Sequence, residues 1–198
     1  MTPLQRIFLL LTALLSSYQV VQGVEGLTTM AVACYTVAFG ILILASLLMI
    51  ILGFEVLDDP LVVIAATLTP TSLALGLVSQ FLREILVPYG IFIVLGVLAI
   101  IYTRLRDEEK LGVIILTVVH GVSGLTIFLL PIMLVLLGLA PAGFAWVGLG
   151  GMIIGLGGMQ LSFLKIGKPL LSRHKILAAF PGLLLLATAS FVAGFFNI

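Results

Sequence analysis

The chain has 198 residues, 62% of them hydrophobic and 9% charged, with a mean hydropathy of +1.39 and a formal net charge of +1. A soluble domain carries about 25% charged residues, so this composition cannot cover a water-facing surface. It excludes a nucleic-acid surface, for want of any basic cluster, and leaves no room for a soluble domain beside the membrane one.

The alternation of a β-barrel is absent, so the crossings are helical and the fold class is an all-α polytopic bundle over residues 1–198. A crossing helix needs about 20 apolar residues. Seven segments qualify: Leu4–Val21, Leu27–Phe54, Leu61–Leu82, Ile85–Thr103, Leu111–Leu139, Ala142–Leu164 and Ile176–Phe196. The first has a rival reading. Arg6, the apolar run Ile7–Leu15 and the small-residue site Val21-Gln22-Gly23 also fit a cleaved secretory signal peptide. Cleavage would leave six spans with unchanged orientation.

The second segment holds the lone Cys34, which can form no intrachain disulfide and indicates no redox compartment. The acidic turn that follows it, with Glu55, Asp58 and Asp59, reads as solvated.

The third segment carries the sharpest pattern. Thr67, Thr69, Pro70, Thr71 and Ser72 interrupt it near its middle. A proline leaves a backbone carbonyl without its helical partner, and hydrocarbon offers no water in compensation. Thr69, Ser72, Gly76, Ser79 and Arg83 follow steps of three and four, so one face is polar. That face should meet protein or water, and a discontinuous helix at this depth is where transporters hold substrates and ions. The plainer reading is a structural kink whose hydroxyls bond to carbonyls of their own helix. Pro88 and Gly90 support a turn at Arg83–Glu84 before the fourth segment.

The fifth segment holds His120, the one titratable cationic side chain at depth. Counted from Leu111 it lies about 13 Å from its helix end, level with Thr69–Pro70 by the same count. Thr117, Gly121, Gly124 and Pro131 accompany it. Ionisable groups at this depth are candidates for function, although a neutral imidazole bonded across a helix interface is the ordinary alternative. His120 and His174 are too far apart in depth, by more than about 10 Å, to ligate one haem b iron. No cofactor and no metal centre are expected.

The sixth segment is rich in glycine, and Gly151 with Gly155 forms a GxxxG suited to close helix packing or a dimer face. Its GLGGM run has no preceding strand and no following lysine, so it is not a nucleotide loop. In the seventh, Ile176-Leu177-Ala178-Ala179 before Pro181 faintly echoes Ile64-Ala65-Ala66 before Pro70, the trace of a 3+1+3 repeat.

Orientation follows from the basic residues. Arg6, Arg104, Arg106, Lys110, Lys165, Lys168, Arg173 and Lys175 share one side and Arg83 alone takes the other, which predicts a cytoplasmic N-terminus. Tyr18, Tyr89 and Trp146 then lie toward the outer interface and Tyr102 toward the inner.

The spans contain no carboxylate. Nor does His120-Gly121-Val122-Ser123-Gly124 have triad spacing, so catalysis is not expected. A charge at the bilayer centre costs at least ~3 kcal/mol, so hydroxyls, carbonyls and one imidazole suit a neutral, lipophilic or alkali-cation ligand. The expected function is transport, permeation or binding at a midplane site of Thr67, Thr69, Pro70, Thr71, Ser72 and His120. The competing expectation is a non-catalytic accessory or assembly subunit of a larger membrane complex. The expected partners are the lipid bilayer and either further copies of the chain or that complex, in a prokaryotic cytoplasmic or an organellar membrane. The seven-span format is similar to that of small sugar carriers and trimeric cation channels. The proline-glutamine signature of the first and the glycine-rich kinks of the second are absent, so neither is carried over.

Overall fold

A computed structural model describes residues 1–106, 109–165 and 171–198. Lys168, and Asp107 and Glu108 of the charged run before Lys110, lie outside the described residues. Seven α-helices carry the fold: α1 (Pro3–Gln22), α2 (Thr29–Leu52), α3 (Pro60–Phe81), α4 (Leu86–Leu105), α5 (Glu109–Leu136), α6 (Ala145–Lys165) and α7 (Arg173–Phe195). Each is long and apolar enough to cross a membrane, and no strand occurs among the described residues.

The helix ends are chemically defined. Thr2 and Gln5 form a capping box at α1, and the side chains of Thr28, Asp59 and Ser172 accept from the first free backbone N–H groups of α2, α3 and α7. Gly23 and Gly53 close α1 and α2 with φ of 64° and 78°, a conformation that side chains other than glycine resist. A short 3₁₀ turn, Gly53–Asp58, joins α2 to α3, and another, Arg83–Ile85, marks the turn before α4.

Helix α3 differs from its sequence expectation. It runs without interruption from Pro60 to Phe81, straight through Pro70. Proline removes one N–H and leaves the Ala66 carbonyl without its partner four residues on. A full break would strip several more backbone groups of partners in hydrocarbon, so the chain accepts the single loss. Pro131 in α5 and Pro181 in α7 are carried through in the same way.

Six helices close a ring: α1 packs on α2, α2 on α3, α3 on α5, α5 on α6, α6 on α7, and α7 returns to α1. Helix α4 stands outside it, against α3 and α5. One end of the bundle collects the start of α1, the Gly53–Asp58 turn, Arg104 and the start of α7. It is called the basic end below. An exposed ion pair, Arg173 Nη2 to Asp58 Oδ2 at 3.6 Å, ties two of its segments together.

Helix α4 is fastened by small residues and one polar bond. Gly96 lies under Val119 and Gly112 under Thr103. The Tyr89 hydroxyl donates to Thr126 Oγ1 at 3.1 Å, while Thr126 itself donates to the Val122 carbonyl at 2.9 Å. Side-chain bonds between membrane helices average about 0.6 kcal/mol. Tyr89→Phe should therefore lower unfolding stability by about 0.5–1 kcal/mol, read from thermal or SDS titration curves in detergent, with the fold intact.

Toward the end opposite the basic one, aromatic rings span the ring interior. Phe195 of α7 meets Tyr35 of α2 at a centroid distance of 4.6 Å, Phe39 at 6.1 Å and Phe144 at 6.3 Å, and Phe144 meets Phe81 of α3 at 5.3 Å. Tilted and edge-on contacts of this kind add to the apolar burial. Phe144 is 0% exposed, Phe39 1% and Phe195 3%, so the layer is dry.

Candidate functional site

The hydroxyls of α3 are arranged as the plainer reading foresees. Thr67 Oγ1 donates to the Val63 carbonyl at 2.9 Å and Thr71 Oγ1 to the Thr67 carbonyl at 2.8 Å. Both residues are buried, while Thr69, Pro70 and Ser72 are half-buried. The stripe of Thr69, Ser72 and Gly76 points toward α2, because a Cβ on Gly76 would strike the Tyr35 ring. Thr67 and Thr71 lie on the other flank of α3.

His120 shares a stripe with Ile127 and Leu134, one and two heptads further along α5, and both are core residues. The imidazole is therefore turned into the ring. Its Nδ1 is buried and makes no hydrogen bond of good geometry, the Leu116 carbonyl one turn earlier being the polar group that acts on the imidazole. The structure does not bring His120 level with Pro70. Ile127 touches Gly151 of α6, and the adjoining Gly150 lies against Ala187 and Phe191 of α7. His120, seven residues back along α5, is about 10 Å nearer the basic end than that contact. Pro70, six residues before Gly76, is only about 9 Å below the aromatic layer. Helix α5 is 28 residues long against 22 for α3, and equal counts from the two helix ends do not give equal depths.

Of the paired glycines, Gly151 packs against Ile127 and Phe128 of α5, whereas Gly155 is exposed with nothing within 4 Å of its Cβ position. The close approaches in α6 come instead from Gly148 against α5 and Gly150 against α7.

Sequence reasoning missed the residues that complete the interior. Among the described residues most of the buried Ser and Thr hydroxyls bond to a carbonyl of their own helix, as Thr12, Thr67, Thr71, Ser79, Thr103 and Ser190 do. Ser16 of α1, Ser46 of α2 and Thr188 of α7 do not: each oxygen is buried with no hydrogen-bond partner. All three lie on inward stripes. Ser46 continues Phe39 and Leu42 along α2, Thr188 sits between Leu184 and Phe191 and one heptad from Phe195, and Ser16 follows Leu9 and Thr12. Measured from the Tyr35–Phe195 contact, Thr188 is about 10 Å and Ser46 about 16 Å toward the basic end. Gln5 of α1 donates to the Ala178 carbonyl and Phe8 lies against Gly182, a register that puts Ser16 close to Thr188 in depth. Ser123 Oγ is also buried without a partner, but on the α4 side near Tyr89. Tyr35, whose Oη lies in the aromatic layer, Arg104 and Gln160 have such atoms too.

Burial changes along the same axis. Leu73 and Leu77 of α3 are 2% and 0% exposed beside the aromatic layer. Val62, Ala66, Thr69 and Pro70, nearer the basic end, are only half-buried. The interior thus has an aromatic layer toward one end, with the partnerless Tyr35 hydroxyl in it, and further partnerless polar atoms beneath it. The Ala66 carbonyl freed by Pro70 belongs to that lower region.

Two clefts lie elsewhere. One, of about 20 Å³, sits between α1 and α2 and is lined by Gln19, Val32, Tyr35 and Phe39. The other, of about 330 Å³, is an apolar surface groove between α2, α3 and α4 lined by Met30, Leu75, Leu86, Ile91 and Val94.

With Pro70 continuous in α3, Pro70→Ala should restore one backbone hydrogen bond. The expected change in unfolding free energy is a gain of no more than about 1 kcal/mol, with unaltered helix content by circular dichroism.

Comparison with protein-family models, curated proteins and solved structures finds no match for this chain, so its functional reading rests on the chain itself.

Proposed function

We propose that this integral membrane protein transports, or passes by permeation, a small solute through the interior of its six-helix ring. The observation that carries the reading is the set of buried, partnerless polar atoms on inward stripes: Ser16 Oγ, Tyr35 Oη, Ser46 Oγ, His120 Nδ1 and Thr188 Oγ1. A buried polar group without a partner costs about 1–3 kcal/mol, and hydrocarbon-facing helices have no need of one. Groups retained at that cost on four ring helices are explained by a polar occupant that satisfies them. The basic end faces the cytoplasm in this reading, in keeping with the eight-to-one distribution of Lys and Arg.

Reconstitution tests it. Purified protein in liposomes is expected to accelerate the movement of at least one small solute over protein-free vesicles. His120→Phe should reduce that rate at least tenfold while the melting curve is kept. The opposing result is a preparation that moves no solute and purifies in fixed stoichiometry with other membrane proteins, which would make the chain an accessory subunit.

A further inference from the structure

We infer that the ring interior binds an uncharged solute rich in both hydrogen-bond donors and acceptors, of the polyol or urea class, and does not bind a metal cation. The inference rests on the transport reading above and specifies its substrate. Four of the five partnerless atoms are hydroxyl oxygens, each with one O–H to donate and lone pairs to offer. A bare alkali cation would engage only the lone pairs and would accept nothing from the O–H groups. The fifth atom, His120 Nδ1, is a nitrogen, whereas hard cations select oxygen ligands. No Asp or Glu lies in the middle of a span to balance a cation's charge, the eight acids, Glu25, Glu55, Asp58, Asp59, Glu84, Asp107, Glu108 and Glu109, all standing at span ends or in turns. A polyol or a urea answers the inventory group by group, since its own hydroxyl or amide hydrogens and oxygens alternate.

The depths fit a path as well as a site. Thr188 and Ser16 lie beneath the aromatic layer, Ser46 about 6 Å lower, and His120 on the half-buried side of the interior toward the basic end. A solute entering from the basic end would exchange partners in the order His120, Ser46, Thr188, reaching the Phe195 layer last. The Ala66 carbonyl, left free by Pro70, adds one fixed acceptor on the α3 wall.

Stability and function should move in opposite directions here. Thr188→Val keeps side-chain shape and deletes the partnerless hydroxyl, so it removes a desolvation cost and should raise the melting temperature by a few degrees. If the hydroxyl serves a solute, the same change should slow that solute's passage.

Stopped-flow light scattering on proteoliposomes under glycerol and urea gradients, run beside rubidium-86 uptake, reads both. The expected result is glycerol or urea entry well above protein-free vesicles and no rubidium uptake. Thr188→Val and Ser46→Ala should each cut entry about tenfold, with melting temperatures equal to or above that of the parent. Rubidium uptake without glycerol or urea entry would overturn this inference and leave the transport reading standing. Parent-like entry in both variants would overturn the assignment of the site. Failure of glycerol and urea to move would overturn this inference, and the transport reading would fall only if no small solute moves and the chain purifies in fixed stoichiometry with other membrane proteins.

Discussion

Replacing Gly150 with leucine will abolish the folded state in detergent, whereas Gly155→Leu, five residues along the same helix, will leave it nearly unchanged. A Cβ at Gly150 would come within 2.6 Å of the Phe191 ring and 2.9 Å of the Ala187 carbonyl oxygen. A ring can turn aside, but a carbonyl in the middle of α7 cannot move without its helix. Even one added methyl thus forces α6 and α7 apart, and overpacking of that kind costs about 1–3 kcal/mol before longer atoms are counted. Leucine adds three more carbons into the same contact. The loss should exceed about 3 kcal/mol, a large part of the 5–15 kcal/mol that holds a typical domain together. Gly148→Leu should behave alike, since its Cβ would meet the Phe128 carbonyl oxygen at 2.7 Å. At Gly155 there is nothing to displace, and a leucine there joins the lipid-facing surface, where tails are as apolar as the side chain. Size-exclusion profiles and thermal melts of the three variants would read the contrast directly.

That contrast shows where the sequence stops being informative. Seven spans were legible because hydropathy and length decide whether a segment sits in lipid, and the helix ends lie within three residues of those read from the sequence. The turn at Arg83–Glu84 was legible because polar residues and Pro88 concentrate there. Which face of a span meets protein was not, because lipid and protein interiors are equally apolar and the usual amphipathic signal vanishes. Gly151 and Gly155 look alike as a motif, yet one is packed and the other bare. Ser46 within Ile41–Ile51 carries no sign that it faces the ring, and only the Tyr35–Phe195 contact on the same stripe reveals it. The Pro70 cluster misled for a related reason. The sequence reads as an interruption because proline orphans a carbonyl where hydrocarbon offers no water, whereas a full break would orphan several groups and cost more than that one carbonyl. His120 was conspicuous by charge and is turned into the bundle. The other buried, partnerless polar atoms were hidden among ordinary hydroxyls, and it took the hydrogen bonds of the rest to single them out.

Phe195→Ala is expected to weaken the protein by about 3–5 kcal/mol, the usual cost of emptying a buried phenylalanine site. Phe195 is 3% exposed and is the one ring in contact with Tyr35, Phe39 and Phe144 together, so no single neighbour can refill the space. Phe195→Leu keeps most of the volume and should cost less than half as much. If the layer were only packing, both variants would lose stability and nothing else. If it is also the barrier across the ring, its removal joins the polar interior to the opposite end, and the effect appears in vesicles as a raised basal permeability. Phe195→Ala should then leak glycerol or urea several-fold faster than the parent, with Phe195→Leu in between. The same vesicles should still exclude rubidium, because the loss of a ring opens space without supplying oxygen ligands. A leak that grows with the volume removed at Phe195, set against a passage that falls when Thr188 loses its hydroxyl, would separate the barrier from the site in a single assay.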